Sequence, residues 1–299
     1  MWQKVILFVF LAGIALPALG ESDAWRQSSN NNRIIQNQKA DLDTASEEPL
    51  RIDFYGHAAF RLTSPAGLSI LFDPWRNDPS GAWGLWFPEN FPAIQVDAVF
   101  STHAHFDHDA VYRPEAPMVL DRMAGKWSLG DVNVHGLADK HVCISPGTHS
   151  WHEAFEEFGV EGCPPNNPGH MDNVIFLVDA GGIRIVIWGD NRANPADHVW
   201  GALTDVDVLI LPIDQSQHLL SYAESDAIVA RLQPRIVIPS HYLTSGVSSV
   251  LSTLGSADEW VNQHSAAVHL NEPTLLIDKS FLKDKSGQIY YFGNTHKSK

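Results

Sequence analysis

Basic side chains are scarce in this sequence of 299 residues, which has 20 lysines and arginines against 35 aspartates and glutamates. The formal net charge at pH 7 is −15. Binding to a phosphate backbone requires clusters of lysine and arginine, and the sequence contains no such cluster. This balance argues against nucleic acid as a partner. A small-molecule or lipid-like substrate is expected instead, and nothing in the sequence supports binding to a membrane surface.

Cysteine is also rare. The chain has two cysteines, Cys143 and Cys163. Disulfides persist in oxidising compartments, so an exported chain could pair them. We expect a Cys143–Cys163 disulfide, and the alternative is two free thiols.

The apolar run at the N-terminus, Val5–Leu16, is shorter than the roughly 20 residues that a membrane-spanning helix requires. Lys4 precedes this run, and Ala18-Leu-Gly20 offers a small-residue cleavage site, which is the arrangement of a secretory signal peptide. We therefore expect residues 1–20 to be a signal peptide and the protein to be periplasmic or secreted. The alternative is an uncleaved anchor.

Polar residues rich in Asn, Gln and Ser fill residues 21–48 and predict a flexible leader before a folded domain over residues 49–295. Within that domain, short apolar runs predict strands at 51–55, 59–62, 68–72, 96–100, 132–138, 173–178, 183–188, 206–211 and 235–238. Tyr222–Gln233 has one apolar stripe and precedes Pro234, which predicts a helix. The pattern indicates an α/β fold with sheets shielded by helices.

Several metal-capable residues come just after predicted strands. They are His103, His141, Asp190 and His241. Loops gather at strand ends, and binding sites form there. The pattern therefore predicts a site at one edge of the sheets.

The densest group of such residues is the sequence THAHFDH at Thr102–His108. His103 and His105 are two residues apart, so on an extended segment they project to the same side and could bind one cation. Asp107 and His108 are offset from them and could face a second cation. Imidazole with carboxylate suits zinc, and the lack of cysteine indicates an open site and not a closed structural one. The alternative is a solvated histidine-rich loop that binds metals adventitiously.

The sequence THAHFDH resembles the HxHxDH motif of the metallo-β-lactamase fold superfamily, and WGD at Trp188–Asp190 and PSHY at Pro239–Tyr242 resemble its later ligand motifs. YGHAAF at Tyr55–Phe60 and FDPW at Phe72–Trp75 are similar to the branch that contains ascorbate-6-phosphate lactonase and N-acylphosphatidylethanolamine phospholipase D type enzymes. The resemblance implies a four-layer αββα sandwich with a two-metal site at one edge.

The same resemblance implies a set of ligands and their roles. Carried over residue by residue, one ion would take His103, His105 and His141, the other would take Asp107, His108 and His241, and Asp190 would bridge them. Asp107 and Asp190 are also assigned a catalytic role. The third histidine is open, because Val142 follows His141 where the family often has an acidic residue, and His149 is therefore kept as the alternative.

Two further residues stand where this branch has a histidine and an aspartate near the metals. They are His57 and Asp73, which we expect to orient the ligands. The alternatives are a core histidine held by backbone hydrogen bonds and a turn-forming Asp-Pro pair.

Two divalent ions, with Zn²⁺ preferred, would make hydroxide available at neutral pH. We therefore expect an exported dinuclear hydrolase that uses a metal-bound hydroxide on an ester, lactone or phosphodiester bond. One alternative is a non-catalytic periplasmic metal-binding protein. Another is a diiron oxidoreductase on the same fold, which is disfavoured because that branch has a carboxylate at the position of His105.

Two loops are candidates for control of substrate choice. Asp73–Pro92 is rich in aromatic residues and either packs over the core, which is favoured, or lines the mouth of the site. Val142–His170 is expected to arch beside the metals.

Overall fold

The computed structural model describes residues 42, 43, 46–142, 172–265 and 267–298, together with the backbone of two strands at 25–30 and 35–39. The predicted signal peptide, the predicted disulfide and the alternative ligand His149 lie outside the described residues. None of the helices in the described part of the chain combines the length and the apolar character that a bilayer span requires.

Two β-sheets form the framework of the protein. In chain order the strands are β1 Trp25–Asn30, β2 Ile35–Lys39, β3 Leu50–Phe54, β4 Phe60–Thr63, β5 Ser69–Phe72, β6 Ala98–Ser101, β7 Met118–Asp121, β8 Gly125–Leu129, β9 Val132–Asp139, β10 Asn173–Ala180, β11 Ile183–Ile187, β12 Val208–Pro212, β13 Ile236–Ser240, β14 Val268–His269, β15 Thr274–Ile277 and β16 Gln288–Tyr291. The helices of the described residues are α1 Asp197–Ala202, α2 Tyr222–Leu232, α3 Asp258–Gln263 and α4 Lys279–Leu282. Each predicted strand and the predicted helix are present, with bounds within two residues of those predicted.

The larger sheet has the strand order β1-β2-β8-β9-β10-β11-β12-β13-β16-β14, and the smaller has the order β15-β3-β4-β5-β6-β7. Alternate residues of a strand face opposite sides of its sheet. In β5, Ile70 and Phe72 therefore belong to the main core, which contains buried residues of both sheets, whereas Leu71 belongs to a second apolar cluster. The prediction of an α/β sandwich built from two sheets is confirmed.

Helices and one aromatic loop lie against these sheets. α1 contacts β9, and α2 contacts β12, so both helices pack on the larger sheet. Asp73–Pro92 packs in the second apolar cluster with Leu71 and Val99 of the smaller sheet. The loop therefore covers that side of the smaller sheet.

Two strands lie in the segment for which the sequence predicts a flexible leader. β1 pairs antiparallel with β2, and β2 pairs parallel with β8 at one edge of the larger sheet. Strand pairing uses backbone N–H and C=O groups, so the polar sequences WRQSSN and IQNQK can join an edge. Apolar periodicity does not detect such strands, which is the physical reason for the difference.

Candidate metal centre

The polar residues of the site come from the carboxyl ends of strands in both sheets. In the smaller sheet, β3, β5 and β6 run in one direction, and in the larger sheet β9, β11, β12 and β13 do. The residues that follow them are His57 after β3, Asp73 after β5, His103 after β6, His141 after β9, Asp190 after β11, Asp214 after β12 and His241 after β13. The predicted position of the site, at strand ends on one edge, therefore agrees with the structure.

Three groups of potential metal ligands lie at this edge among the described residues, and within each group the ligand atoms lie within 4.8 Å of one another. The first group is His103, His105, His141 and Asp190, and the second is His57, Asp107, His108 and His241. The third group, Asp214, His218 and His241, shares His241 with the second, and the first two groups contain the predicted ligands. The structure thus brings together all seven residues of the predicted ligand set and divides them as the resemblance implies. It also adds His57 to the second group.

Asp190 lies between the two groups. Its Oδ2 atom is 3.4 Å from Nε2 of His141 and 3.6 Å from Nε2 of His103 in the first group. The same carboxylate is 3.2 Å from Nε2 of His241 and 3.3 Å from Nε2 of His108 in the second group. One carboxylate therefore faces donors of both groups, as a bridging ligand must.

The contacts of the Asp107 carboxylate are with histidines of the second group. Its Oδ2 atom lies 3.1 Å from Nε2 of His57, 3.2 Å from Nε2 of His241 and 3.7 Å from Nε2 of His108. The Asp107 side chain is buried among these histidines and borders the cavity described below.

The donor atoms of the two groups fit divalent metal ions. Within the described residues, buried nitrogen atoms without a hydrogen-bond partner include Nε2 of His103, His108, His141 and His241. A buried polar atom without a partner is costly, and its presence requires an explanation. Imidazole nitrogen and carboxylate oxygen are donors that zinc and related ions use, so bound cations would satisfy these atoms.

Neighbouring groups hold the other ring nitrogen, Nδ1, of His103 and of His108. Nδ1 of His108 lies 3.0 Å from Oδ2 of Asp73, and Nδ1 of His103 lies 3.0 Å from Oγ1 of Thr102. Asp73 also accepts hydrogen bonds from Thr102, at 2.7 Å from its backbone N–H and 2.9 Å from its hydroxyl. These contacts leave each Nε2 directed at the site, which is how outer carboxylates orient metal-binding histidines.

Burial keeps some histidines neutral. Burial and the neighbouring His241 lower the pKa of His57 to about 3. Burial, together with His141, lowers the pKa of His105 to about 4. Neutral imidazole is the form that binds a metal, so His105 is ready to do so at neutral pH.

Two other histidines have the opposite shift. Burial alone would lower the pKa of His241, but the charge of Asp190 and the contacts of Nε2 with the Asp107 and Asp190 carboxylates, each at 3.2 Å, raise it to about 9. Burial also opposes the charged form of His108, yet Asp190 and Asp107 raise its pKa well above the usual range. Burial would raise the pKa values of the Asp107 and Asp190 carboxyls, but the charge of His108 and of other histidines holds both pKa values well below their usual range.

The backbone at the site is strained at three of these positions. His57, Asp73 and His241 have positive φ angles of 57°, 50° and 58°. Such conformations cost roughly 1–3 kcal/mol each in non-glycine residues and concentrate at functional sites. The backbone N–H of His241 also donates a hydrogen bond of 2.8 Å to the carbonyl of His57, which links the larger sheet to the smaller.

Motif comparison missed two residues beside the site. Asp214 follows β12, and its Oδ2 lies 2.8 Å from Nδ1 of His218, while the His218 ring is 5.1 Å from the ring of His241. Both side chains are buried. The position of Asp214 after a strand was the available signal, and it is the same signal that singled out Asp190.

An ion pair between the buried Asp139 and the partly exposed Arg192 supports the segment around Asp190. Asp139, at the end of β9, accepts hydrogen bonds of 2.7 and 2.9 Å from Arg192 and one of 2.9 Å from Asn191. Its side chain is 0% exposed. Replacement of Asp139 by alanine would leave these donors without their acceptor.

We expect Asp139→Ala to lower the free energy of unfolding by about 2–3 kcal/mol. The matched control is Asp179→Ala, since Asp179 is 41% exposed and pairs with Arg184 on the surface. That change should cost less than about 1 kcal/mol. Urea unfolding of the two variants checks the difference, and equal losses would contradict the supporting role of Asp139.

A cavity of about 450 Å³ opens onto the site. Asp107, Asp190 and His241 lie at its polar end, and Trp83 and Trp86 from the aromatic loop line it as well. The same loop also packs, because Trp75, Phe87 and Phe91 are buried in the second apolar cluster. The loop therefore packs over the core with some of its aromatic residues and lines the mouth of the site with others.

Comparison with known proteins agrees with this architecture. A family profile described as "Beta-lactamase superfamily domain" matches residues 51–241. A curated Pyrobaculum calidifontis protein named UPF0173 metal-dependent hydrolase is 27% identical over 203 residues, covering 65% of this chain and 85% of that protein. An Archaeoglobus fulgidus protein of the same name is 26% identical over 213 residues, covering 65% of this chain and 84% of that protein.

A solved structure also resembles this chain. It is a Thermotoga maritima protein assigned to the metallo-beta-lactamase superfamily, with a TM-score of 0.55 and 20% identity, and it covers 81% of this chain and 97% of its own. This likeness confirms the predicted fold.

Proposed function

Since this chain belongs to the beta-lactamase superfamily and is a metal-dependent hydrolase, we propose that it holds two divalent metal ions and hydrolyses an ester, lactone or phosphodiester bond. The observation that carries the proposal is the position of the Asp190 carboxylate, 3.2–3.6 Å from imidazole nitrogens of both ligand groups. A carboxylate in that position can bridge two ions, and paired ions are typical of hydrolytic sites.

The proposed ligands follow from the two groups. The first ion takes His103, His105 and His141, the second takes Asp107, His108 and His241, and Asp190 binds both. His57 lies beside the second ion and in contact with Asp107. Zn²⁺ is the preferred ion, because the donor set combines histidine with carboxylate and contains no cysteine.

Two divalent ions bound there would supply hydroxide at neutral pH and would stabilise negative charge on the substrate oxygen. The chain's own residues position this chemistry. Asp73 holds Nδ1 of His108, so Nε2 of His108 is fixed toward the ligand group. Asp107 and Asp190 line the cavity, where their oxygens can orient an attacking water by accepting its hydrogen bonds.

We also propose that the protein is exported to the periplasm or secreted. The support is the sequence of residues 1–20, where a lysine precedes a short apolar run and a small-residue cleavage site. N-terminal sequencing of protein recovered from the periplasmic fraction would test this, and a mature chain that still starts at Met1 would contradict cleavage.

Metal analysis of the purified protein should give about two zinc-like ions per chain. The protein should also hydrolyse at least one member of a panel of p-nitrophenyl esters, lactones and bis(p-nitrophenyl) phosphate. A chelator should abolish this activity, and added Zn²⁺ should restore it. One redox-active iron pair, or two bound ions without hydrolysis of any class, would contradict the proposal.

A further inference from the structure

The cavity above the ligand groups has an apolar wall. Trp83 and Phe106 are half-buried and Trp86 is buried, and all three line the cavity. The rings of Trp86 and Phe106 meet edge to face, with centroids 5.2 Å apart and planes at 87°. Aromatic walls of this kind bury flat apolar groups.

Hydrogen bonds hold the backbone of Trp86 in this wall. Oδ1 of Asn77 accepts from the backbone N–H groups of Trp86 and Phe87, each at 2.9 Å. Nδ2 of Asn77 donates to the carbonyl of Phe87 at 2.6 Å, and the carbonyl of Trp86 accepts from Ser249 at 2.6 Å. A wall fixed before binding loses little conformational entropy when a ligand enters.

Positive charge along the cavity is already neutralised. Apart from histidines, Arg76 is the one basic residue among the described residues that line the cavity. Its guanidinium donates to Asp109 at 2.6 and 2.9 Å and to the carbonyl of Asn77 at 3.3 Å. Asp78 also lines the cavity and adds negative charge. A substrate with an anionic group away from the reacting bond would therefore face Asp78, and the described lining residues offer no lysine or arginine without a carboxylate partner.

We propose that the substrate is neutral away from its reacting bond and carries a flat apolar group, which is bound against Trp83, Trp86 and Phe106. This inference rests on the proposed hydrolase function and names the group that flanks the bond. The reacting bond lies beside Asp107 and Asp190, and the apolar group lies against the aromatic wall.

Three esters with the same p-nitrophenol leaving group test the proposal. They are the neutral 4-phenylbutyrate, the neutral butyrate and the anionic hemiglutarate. Burial of the phenyl ring should raise kcat/KM for the phenylbutyrate roughly tenfold or more above that for the butyrate. The hemiglutarate should be hydrolysed at least about tenfold less efficiently than the butyrate.

Variants of the loop locate the effect. Trp83→Ala should lower kcat/KM for the phenylbutyrate about tenfold, mainly through KM, and should therefore reduce the preference for the phenylbutyrate over the butyrate. Trp83→Phe should retain most of the preference. The control is Leu85→Ala, since Leu85 is 50% exposed on the same loop and is not a lining residue.

The outcomes separate this inference from the function on which it rests. Equal kcat/KM for the three esters would overturn the inference and leave the hydrolase function intact. If bis(p-nitrophenyl) phosphate alone is hydrolysed, Trp83→Ala should raise its KM, and an unchanged KM would overturn the inference. Absence of chelator-sensitive hydrolysis of every compound would overturn both. A preference for the phenylbutyrate that Trp83→Ala leaves unchanged would also overturn the inference.

Discussion

Asp190→Asn should lower kcat/KM for hydrolysis by roughly 1000-fold or more, because this one change removes the negatively charged ligand that both proposed ions share. Asparagine keeps the size of the side chain but is neutral and binds metals weakly. Asp190 faces two histidines of each group, so the loss cannot be confined to one ion. We expect the metal content to fall well below one ion per chain.

Asp107→Asn provides the comparison, since Asp107 contacts the second group alone. This variant should also lose most activity but should keep about one ion per chain, bound by the first group. Elemental analysis and kinetics on the same samples check both results. The control is Asp179→Asn, an exposed carboxylate paired with Arg184, which should change neither quantity. Equal metal loss in the Asp190 and Asp107 variants would argue against the bridging position of Asp190.

The affinity of the protein for the second ion should rise roughly 100-fold from pH 7 to pH 8. The pKa of His241 is raised to about 9 and that of His108 is raised well above the usual range, so both hold a proton at pH 7 in the metal-free protein. An ion must displace both protons, and a higher pH makes this easier. His105, with a pKa lowered to about 4, is already neutral, and the pKa of His103 is also lowered well below the usual value.

The first ion should therefore show a much weaker dependence on pH. Competition with a chelator at pH 7 and pH 8 measures the two affinities separately. Addition of Zn²⁺ to weakly buffered metal-free protein at pH 7 should also release about two protons per chain. Equal pH dependence of the two ions, or no proton release, would contradict these assignments.

Residues that follow apolar strands were accessible from the sequence. The runs before His103, Asp190 and His241 are buried strands, and their apolar patterns are strong because both faces of each strand are covered. The group to which each ligand belongs came from the resemblance, and the structure divides the residues in the same way. The closer likeness to one branch of the superfamily stays a prediction.

Other features depend on contacts that the sequence pattern does not carry. Asp214 and His218 lie outside the recognised motifs, and their proximity to His241 arises from the parallel pairing of β12 with β13. The polar strands β1 and β2 pair through their backbones and so leave no apolar signal. Composition also could not assign each tryptophan of the aromatic loop to the core or to the cavity, because both environments are apolar.

The arrangement of ligands on separate loops of two sheets determines when the metals can bind during folding. Residues between His57 and His241 must form most of both sheets before the two ligand groups are complete. In an unfolded chain, only the ligands within THAHFDH are close together. Bringing the remaining ligands to them requires closing long loops, which costs conformational entropy. Metal uptake is therefore a late step that follows the docking of the sheets. The apolar core, and not the ions, must direct folding, so under the proposed export the chain could acquire its metals after it has crossed the membrane.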